Sequence, residues 1–257
     1  MRLVPRSRSG RVCPSLTGLE VWSIVGVLIV FGYGPGISHA TAERFAREGY
    51  SLGLVARNAD RLADGVARLK ASGIDATAYQ CDATDPAMIR STIAEIQKDL
   101  GTVSAVLWTA FRSGGVTNVL STRPEDIERV FDIGIAGLLT CVQEVLEDLK
   151  SSPGAAILVA NGALGEHTSQ ADVFSKLIEN DGVSLENAAK SKLVGILAER
   201  LREFDIYVGE VTIAGSVKGT ATATPTAIEP SEIAETFWSL VQARDRTRVR
   251  MAEHGFA

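Results

Sequence analysis

Short apolar runs along the chain alternate with segments in which apolar residues recur every third or fourth position. The short runs have little polar alternation, which is typical of strands buried on both faces of a sheet. They predict strands over 24–31, 51–56, 76–80, 103–108, 155–160, 206–213 and 247–251. The helical period predicts helices over 38–48, from Leu62 to near Gly73, from Ile89 to Gly101, and over 124–149, 184–203 and 231–243.

This alternation continues along the chain without a repeat, a low-complexity block or a linker. It predicts a single α/β domain with a Rossmann-type, doubly wound parallel sheet between two layers of helices. Ligands of such sheets bind at the carboxyl ends of the strands, near the point where the strand order reverses. The residues that follow each strand are therefore the candidates for a site.

A glycine-rich loop follows the first strand. GYGPGIS, residues 32–38, has a glycine at every second position and leads into a helix. Glycines allow a sharp turn and the close approach of a pyrophosphate, which the N–H groups and dipole of the helix would bind. A tight turn without a ligand is the alternative, but the strand–loop–helix context favours a dinucleotide. We assign to this cofactor Gly32, Tyr33, Gly34, Gly36, Ile37 and Ser38.

The end of the second strand distinguishes the two nicotinamide cofactors. NAD sites usually carry an acid about 20 residues past the loop, whereas the 2′-phosphate of NADP requires a cation. Arg57 stands 21 residues beyond the last loop glycine, and Arg61 follows it. This favours NADP(H) over NAD(H), although a solvated surface arginine is the alternative. After the third strand, Asp82 and Ala83 are expected at the adenine; Asp82 is otherwise a helix cap, for which Asp85 is the better candidate.

Composition narrows the classes of partner. With 257 residues and 46% hydrophobic residues, the chain is long enough for one large domain with a core. The net charge of −5 and the lack of a basic run argue against nucleic acid. Three cysteines and three histidines are scattered, which excludes a disulfide framework and makes a metal site unexpected. We expect a reducing, cytoplasmic location.

The first 23 residues have a different composition. They carry four arginines and one acid before an apolar run, which superficially resembles a signal peptide. SIVGVLIVF has no small-residue cleavage site and is too short for a bilayer-spanning helix of ~20 residues. We interpret residues 1–23 as a disordered tail, a tag remnant (LVPRS resembles a protease scar) or an over-long start. The domain is expected over 24–257, without a membrane segment.

Over roughly residues 24–252 the sequence resembles the short-chain dehydrogenase/reductase family. The matching pieces are GYGPGIS (32–38), ARNADRL (56–62), CDATD (81–85), helix 124–149, AAKSKLVGILAERL (188–201) and IAGSVKGT (213–220). The spacing from Gly32 to the Ser38-His39-Ala40 step is also similar to the enoyl-acyl-carrier-protein reductase branch. The resemblance implies the fold, a nicotinamide cofactor, and cofactor contacts at Thr109, Ala110, Val217 and Lys190.

The catalytic signature of that family is incomplete in this sequence. The family uses a Ser after strand five, a Tyr and a Lys as Y-x-x-x-K, and an Asn from the long helix. Lys190 takes the Lys position, but Glu186 takes the Tyr position, and Val183 takes it in the enoyl reductase alignment. Gly162 and Gly134 take the Ser and Asn positions. None of the tyrosines stands at the required place: Tyr33, Tyr50, Tyr79 and Tyr207.

Another group would have to replace the tyrosine. A proton donor must reach the substrate and have a pKa near the working pH. Burial raises a carboxyl pKa, so Glu186 is one candidate, although a surface ion pair with Lys190 is the alternative. Asn161 is a candidate to orient a carbonyl oxygen as a donor, with Asn187 beside it. Further polar residues at the mouth of the cleft are Glu166 and His167. The residues assigned to catalysis are Lys190, Asn161 and Glu186.

Three functions remain open. The leading one is an NADP(H)-dependent oxidoreductase acting on a small carbonyl, enoyl or imine-like substrate. Its pocket would be formed by Trp108, Phe111, Asn161, Gly162 and the stretch 219–227. The second is an NADP(H)-binding protein without redox turnover, and the third is a dehalogenase-like lyase. The helices 124–149 and 184–203 match the faces through which the family assembles, so we expect a homodimer or homotetramer.

Overall fold

A computed structural model of the chain describes residues 26–111 and 115–253, so the predicted tail at 1–23 lies outside the described residues. One sheet of seven parallel strands crosses the molecule in the order β3-β2-β1-β4-β5-β6-β7. This confirms the predicted Rossmann-type sheet. Its strands are β1 (Gly26–Phe31), β2 (Tyr50–Ala56), β3 (Ala76–Gln80), β4 (Val103–Trp108), β5 (Ala156–Gly162), β6 (Tyr207–Ala214) and β7 (Arg248–Ala252).

Helices connect the strands and cover both faces of the sheet. They are α1 (Ile37–Ala46), α2 (Ala59–Ala71), α3 (Pro86–Leu100), α4 (Pro124–Ile127), α5 (Leu138–Glu144), α6 (Leu146–Ser151), α7 (Ser169–Leu177), α8 (Asp181–Leu201) and α9 (Pro230–Ala243). The boundaries follow local chemistry, as α3 illustrates. Its first turn is capped by Asp85, whose Oδ1 accepts from the N–H groups of Ala87 and Met88. It ends at Gly101, which has a φ of +97°.

The prediction of one continuous helix over 124–149 is wrong, because the structure divides this stretch into shorter helical segments. A 3₁₀ turn (Glu128–Phe131) and a π-helical segment (Asp132–Gly137) interrupt it between α4 and α5. Val130 in the 3₁₀ turn and Ile133 in the π-helical segment are buried, whereas Ile127 and Phe131 are half-exposed. Helix α7 was not predicted; its apolar residues Val173, Phe174 and Leu177 are exposed.

Two apolar clusters lie on opposite faces of the sheet. Trp108, at the carboxyl end of β4, belongs to the first and stacks on Phe31 with ring centroids 4.8 Å apart. The sequence analysis placed Trp108 in the substrate pocket. Because Trp108 is fully buried, it does not line such a pocket. The strand order reverses between β1 and β4, so the chain leaves these two neighbours in opposite directions. A crevice opens at that point, which is where the glycine loop lies.

Candidate functional site

Gly32 makes the turn out of β1. Its φ is +83°, and its N–H donates to the carbonyl of Val55 on β2 at 2.9 Å. A Cβ at this position would lie 2.4 Å from the backbone nitrogen of Ala110, which follows β4. Both the backbone conformation and the close approach therefore require glycine here.

The next two glycines differ from Gly32. A Cβ on Gly34 or Gly36 would meet no atom within 4 Å, so both face open space. The hydroxyl of Ser38 accepts from the Gly34 N–H at 2.8 Å and donates to the Gly34 carbonyl at 3.0 Å, which fixes the loop. Helix α1 begins at Ile37 without a side-chain cap, leaving the N–H groups of its first turn for another acceptor. An anion fits this arrangement.

A cleft of about 1080 Å³ opens over this loop. Its residues come from four parts of the chain: the glycine loop, helix α2, the end of β4 and the segment after β6. Helix α2 contributes Arg61, Asp64 and Arg68, and the segment after β6 contributes residues from Gly215 to Thr222. Phe111, which is 58% exposed, also lines the cleft. The cleft therefore combines two arginines with an exposed aromatic ring and several hydroxyl groups.

Tyr33 points away from the cleft. A Cβ on Gly65 of α2 would lie 2.2 Å from the Tyr33 ring, so the ring packs directly on that helix. The hydroxyl of Tyr33 hydrogen-bonds to Nδ1 of His39 at 2.6 Å. Burial raises the pKa of Tyr33 to about 12. Burial also lowers the pKa of His39, and the positive charge of the nearby Arg68 lowers that pKa further. Tyr33 therefore supports the loop from behind.

Three residues that the sequence assigned to the adenine half of the cofactor do not line the cleft: Arg57, Asp82 and Ala83. Arg57 is exposed directly after β2, and its carbonyl accepts from Nε2 of Gln80 at 2.9 Å. Asp82 is half-buried, and its Oδ1 accepts from the N–H and the hydroxyl of Thr84, both at 3.0 Å. Ala83 is buried with its carbonyl beside Gly137. Their contacts with a cofactor stay predictions.

Three other residues assigned to the cofactor lie in the cleft or next to the glycine loop. Thr109 lines the cleft, and its hydroxyl donates to the carbonyls of Phe31 and Gly32 at 2.9 and 3.1 Å. Val217 also lines the cleft, while Ala110 is buried against Gly32.

The residues assigned to catalysis form a buried polar cluster instead. Lys190 and Glu186 of α8 are each 1% exposed, and neither lines the cleft. Burial lowers the pKa of Lys190, and the carboxylates of Glu186 and Glu210 oppose that shift. Glu210 lies in the middle of β6, is also 1% exposed, and binds Nε of Arg248 at 3.2 Å. The sequence analysis overlooked Glu210, although an acid within the apolar run IYVGEVTI could have drawn attention to it.

The orientation of Asn161 follows from its two partners. Its Nδ2 donates to Oε1 of Glu210 at 2.9 Å and to the carbonyl of Asn187 at 3.0 Å. Both partners are acceptors, so the amide group must face them, which leaves the Asn161 Oδ1 as an acceptor. That oxygen is buried, with no partner among residues 26–111 and 115–253. The expected role of Asn161 as a donor to a substrate carbonyl does not fit this geometry.

Within the described ranges, the structure has no group of three or more histidine, cysteine, aspartate or glutamate side chains arranged to hold a metal ion. In the same ranges, none of the helices combines the length and the hydropathy that a bilayer span needs.

The chain is similar in sequence to a known family of enzymes. The sequence profile described as short chain dehydrogenase matches residues 26–173, which is more than half of the chain. The chain belongs to the short chain dehydrogenase family. A 3β-hydroxysteroid dehydrogenase of Mediterraneibacter gnavus is 28% identical over 152 residues, 58% of this chain and 55% of the relative. A 3-oxoacyl-(acyl-carrier-protein) reductase of Bos taurus is 29% identical over 192 residues, 72% of this chain and 73% of the relative. For the first three curated relatives, the chain spans 33%, 55% and 65% of their length.

Solved structures share the fold of this short chain dehydrogenase. A 3-ketoacyl-ACP reductase of Sinorhizobium meliloti 1021 superimposes with a TM-score of 0.76 at 21% identity, over 88% of this chain and 97% of the other. A short chain oxidoreductase of Pseudomonas aeruginosa PAO1, solved with NADPH and described as containing an atypical catalytic center, gives 0.76 at 20% identity, over 90% and 96%.

Two glycines of this short chain dehydrogenase explain how the buried cluster fits. They are the residues that the sequence resemblance placed at the Asn and Ser positions of the family signature. A Cβ on Gly134 would lie 2.5 Å from Oε1 of Glu186, and one on Gly162 would lie 2.6 Å from Nδ2 of Asn187. The side chains of Glu186 and Asn187 therefore occupy the space that larger residues at these two positions would fill.

Proposed function

We propose that this short chain dehydrogenase binds NADP(H) across the glycine loop. We propose further that it transfers hydride to or from a small carbonyl, enoyl or imine-like substrate. The observation that carries the proposal is the open face of Gly34 and Gly36 at the uncapped start of α1. A pyrophosphate can approach this backbone where any side chain would intervene, and the helix dipole favours its negative charge.

The charges around the cleft support NADP(H) over NAD(H). No carboxylate of the described residues forms an ion pair with Arg57, Arg61 or Arg68, so all three can receive a phosphate. Two structural neighbours are described as complexes with NADP and NADPH. Asp64 lines the same cleft, and its charge opposes the arginines only in part.

Bound NADP(H) would supply the hydride, and the chain would position the substrate. Phe111 and the side chains of Thr220 and Thr222 line the cleft and could contact the substrate. Among the described residues, no tyrosine lines the cleft. A substrate that needs no strong acid, such as an activated double bond or an iminium, suits this set of groups.

A second candidate function is NADP(H) binding without redox turnover. The burial of Lys190 and Glu186 away from the cleft favours it, because neither side chain reaches a reacting atom in this arrangement. The two functions share the cofactor and differ only in turnover.

The first experiment is a titration with NADPH and, separately, with NADH, followed by tryptophan fluorescence. We expect NADPH to bind more tightly than NADH. Arg57→Asp should weaken the affinity for NADPH by about tenfold and leave the affinity for NADH nearly unchanged. Lys70→Asp is the matched control, since Lys70 is an exposed cation in the last turn of α2, whereas Arg57 lies just before the first turn of that helix. If neither cofactor binds, the glycine loop is only a turn and the proposal fails.

Turnover then separates the two functions. Single-turnover mixing of the NADPH complex with ketone, enoyl and cyclic imine substrates, followed at the NADPH absorbance band, would show oxidation for the oxidoreductase. Tight binding without oxidation by any of the three classes would favour the second function.

We also propose a homodimer or homotetramer in the cytoplasm. On α8, Leu185 and Ile196 are exposed apolar residues on the helix that the sequence assigned to assembly. Light scattering after size-exclusion chromatography tests the subunit count, and a monomer would contradict it.

A further inference from the structure

A single carboxylate anchors the segment after β6. Glu253 directly follows β7 and is 3% exposed, and its N–H donates to the carbonyl of Ala214 at 2.8 Å. A Cβ on Gly215, whose φ is +130°, would lie 2.4 Å from the Cβ of Glu253. The segment therefore begins in direct contact with this glutamate, and only glycine permits the approach.

Four donors converge on the carboxylate. One oxygen accepts from the N–H and the hydroxyl of Ser216 at 2.7 and 3.0 Å. The other accepts from the hydroxyls of Thr226, at 2.7 Å, and Thr224. The bond from the Ser216 N–H, followed by those from the two threonines, lowers the pKa of Glu253 to about 2. Glu253 is therefore ionised at neutral pH, and its hydrogen bonds are charge-assisted.

The sequence of the segment matches this arrangement. Threonine occupies every second position from Thr220 to Thr226. Thr220 and Thr222 line the cleft, whereas Thr224 and Thr226 bind Glu253. One stretch of chain thus contacts the cleft at one end and the buried carboxylate at the other.

The base of the segment is closed independently. Val217 and Ile228 form a β-bridge, in which the N–H of Lys218 donates to Ile228 at 2.9 Å. Lys218 also forms an exposed ion pair with Glu229. The bridge joins Val217 to Ile228, and Glu253 holds Ser216 just before the bridge and Thr224 and Thr226 within the loop.

We propose that Glu253 is a positioning residue that holds residues 215–226 as the outer wall of the cleft and thereby limits the rate at which NADP(H) leaves. The proposal rests on the proposed function for its ligand. Glu253 itself does not line the cleft, so it acts on the cofactor only through the segment that it anchors.

The experiment compares Glu253→Ala and Glu253→Gln with the wild type. Glu229→Gln is the matched control, because it removes one carboxylate charge from the same segment but leaves the four hydrogen bonds of Glu253 intact. Amide hydrogen exchange of residues 216–226 is measured in the cofactor-free protein. The dissociation rate of NADPH is measured by stopped-flow fluorescence after displacement.

We expect Glu253→Ala to raise both the exchange rate and the NADPH dissociation rate by about tenfold or more, the equivalent of one charge-assisted hydrogen bond. Glu253→Gln should give a smaller rise, because one amide oxygen still accepts from the Ser216 N–H while the threonine hydroxyls reorient. The control should leave both rates near the wild-type values.

Unchanged exchange in Glu253→Ala would overturn the proposal, and so would faster exchange with an unchanged dissociation rate. If the wild type binds no NADPH, the proposed function fails, while the exchange comparison still decides whether Glu253 fixes the segment. If Glu253→Ala does not fold, the double variant Thr224→Val and Thr226→Val removes two of the four donors at constant shape and takes its place.

Discussion

Two alanine substitutions in the glycine loop should have opposite effects. Gly32→Ala places a methyl group 2.4 Å from a backbone nitrogen, at a φ of +83°. Gly34→Ala places the same group in open space within the cleft, outside the left-handed region. The first should destabilise the protein, and the second should remove only cofactor binding. Gly32 shapes the turn, whereas Gly34 leaves room for the phosphate.

The magnitudes follow from the two environments. Holding alanine at positive φ costs about 1–2 kcal/mol. Relieving the overlap with backbone atoms of Ala110 costs about 1–3 kcal/mol more, because backbone yields less than a flexible side chain. Gly32→Ala should therefore lower the free energy of unfolding by roughly 2–5 kcal/mol. Gly34→Ala should change it by less than about 1 kcal/mol, since alanine also restricts the unfolded chain.

Urea denaturation followed by circular dichroism measures both stabilities, and the NADPH titration measures binding to the folded variants. We expect Gly34→Ala to weaken NADPH by at least tenfold, about 1.4 kcal/mol. A stable Gly34→Ala variant that binds NADPH as tightly as the wild type would refute the assignment of this loop to the pyrophosphate. Equal destabilisation by both substitutions would refute the difference between their environments.

Three further predictions concern residues outside the loop. Gly65→Ala should lower the free energy of unfolding by about 1–2 kcal/mol in urea denaturation, because the clash with the Tyr33 ring outweighs the helix propensity of alanine. The pKa of His39 is lowered, so the unfolded state binds more protons below pH 6.5; stability should fall as the pH drops through that range, less steeply in His39→Gln. Lys190→Met removes the buried cation beside Glu210 and should cost about 3 kcal/mol in urea denaturation.

The architecture could be predicted from sequence because its signals are local. All seven strands lie within two residues of their predicted bounds at both ends, and ATAYQ and VSAVLW match without a shift. Each is a short apolar run between turn residues, so neighbouring sequence alone identifies it. The helical segment after β4 shows the limit of this reasoning. Its 3₁₀ turn buries Val130 and its π-helical segment buries Ile133, and a regular period of 3.6 residues cannot anticipate either change.

The glycine loop was also predictable, since the chemistry of each position depends on adjacent residues. The placement of the polar side chains was not. Lys190 was expected at the cofactor, but the structure buries it where its charge interacts with that of Glu210, a residue 20 positions away on another element. The anchoring of Ser216 by Glu253 likewise depends on a contact across 37 residues. Such contacts follow from the tertiary arrangement and leave no periodic signal.

The buried cluster contains two pairs of residues in which each polar side chain depends on a glycine opposite it. Glu186 needs the space beside Gly134, and Asn187 needs the space beside Gly162. A larger residue at either glycine would force a buried polar side chain out of its place, since each Cβ would lie within 2.6 Å of a polar atom. Introducing an asparagine at 134 or a serine at 162 alone should therefore destabilise the protein. Only a simultaneous change of the helix α8 partner would leave room, so the two sides of the cluster must be altered together.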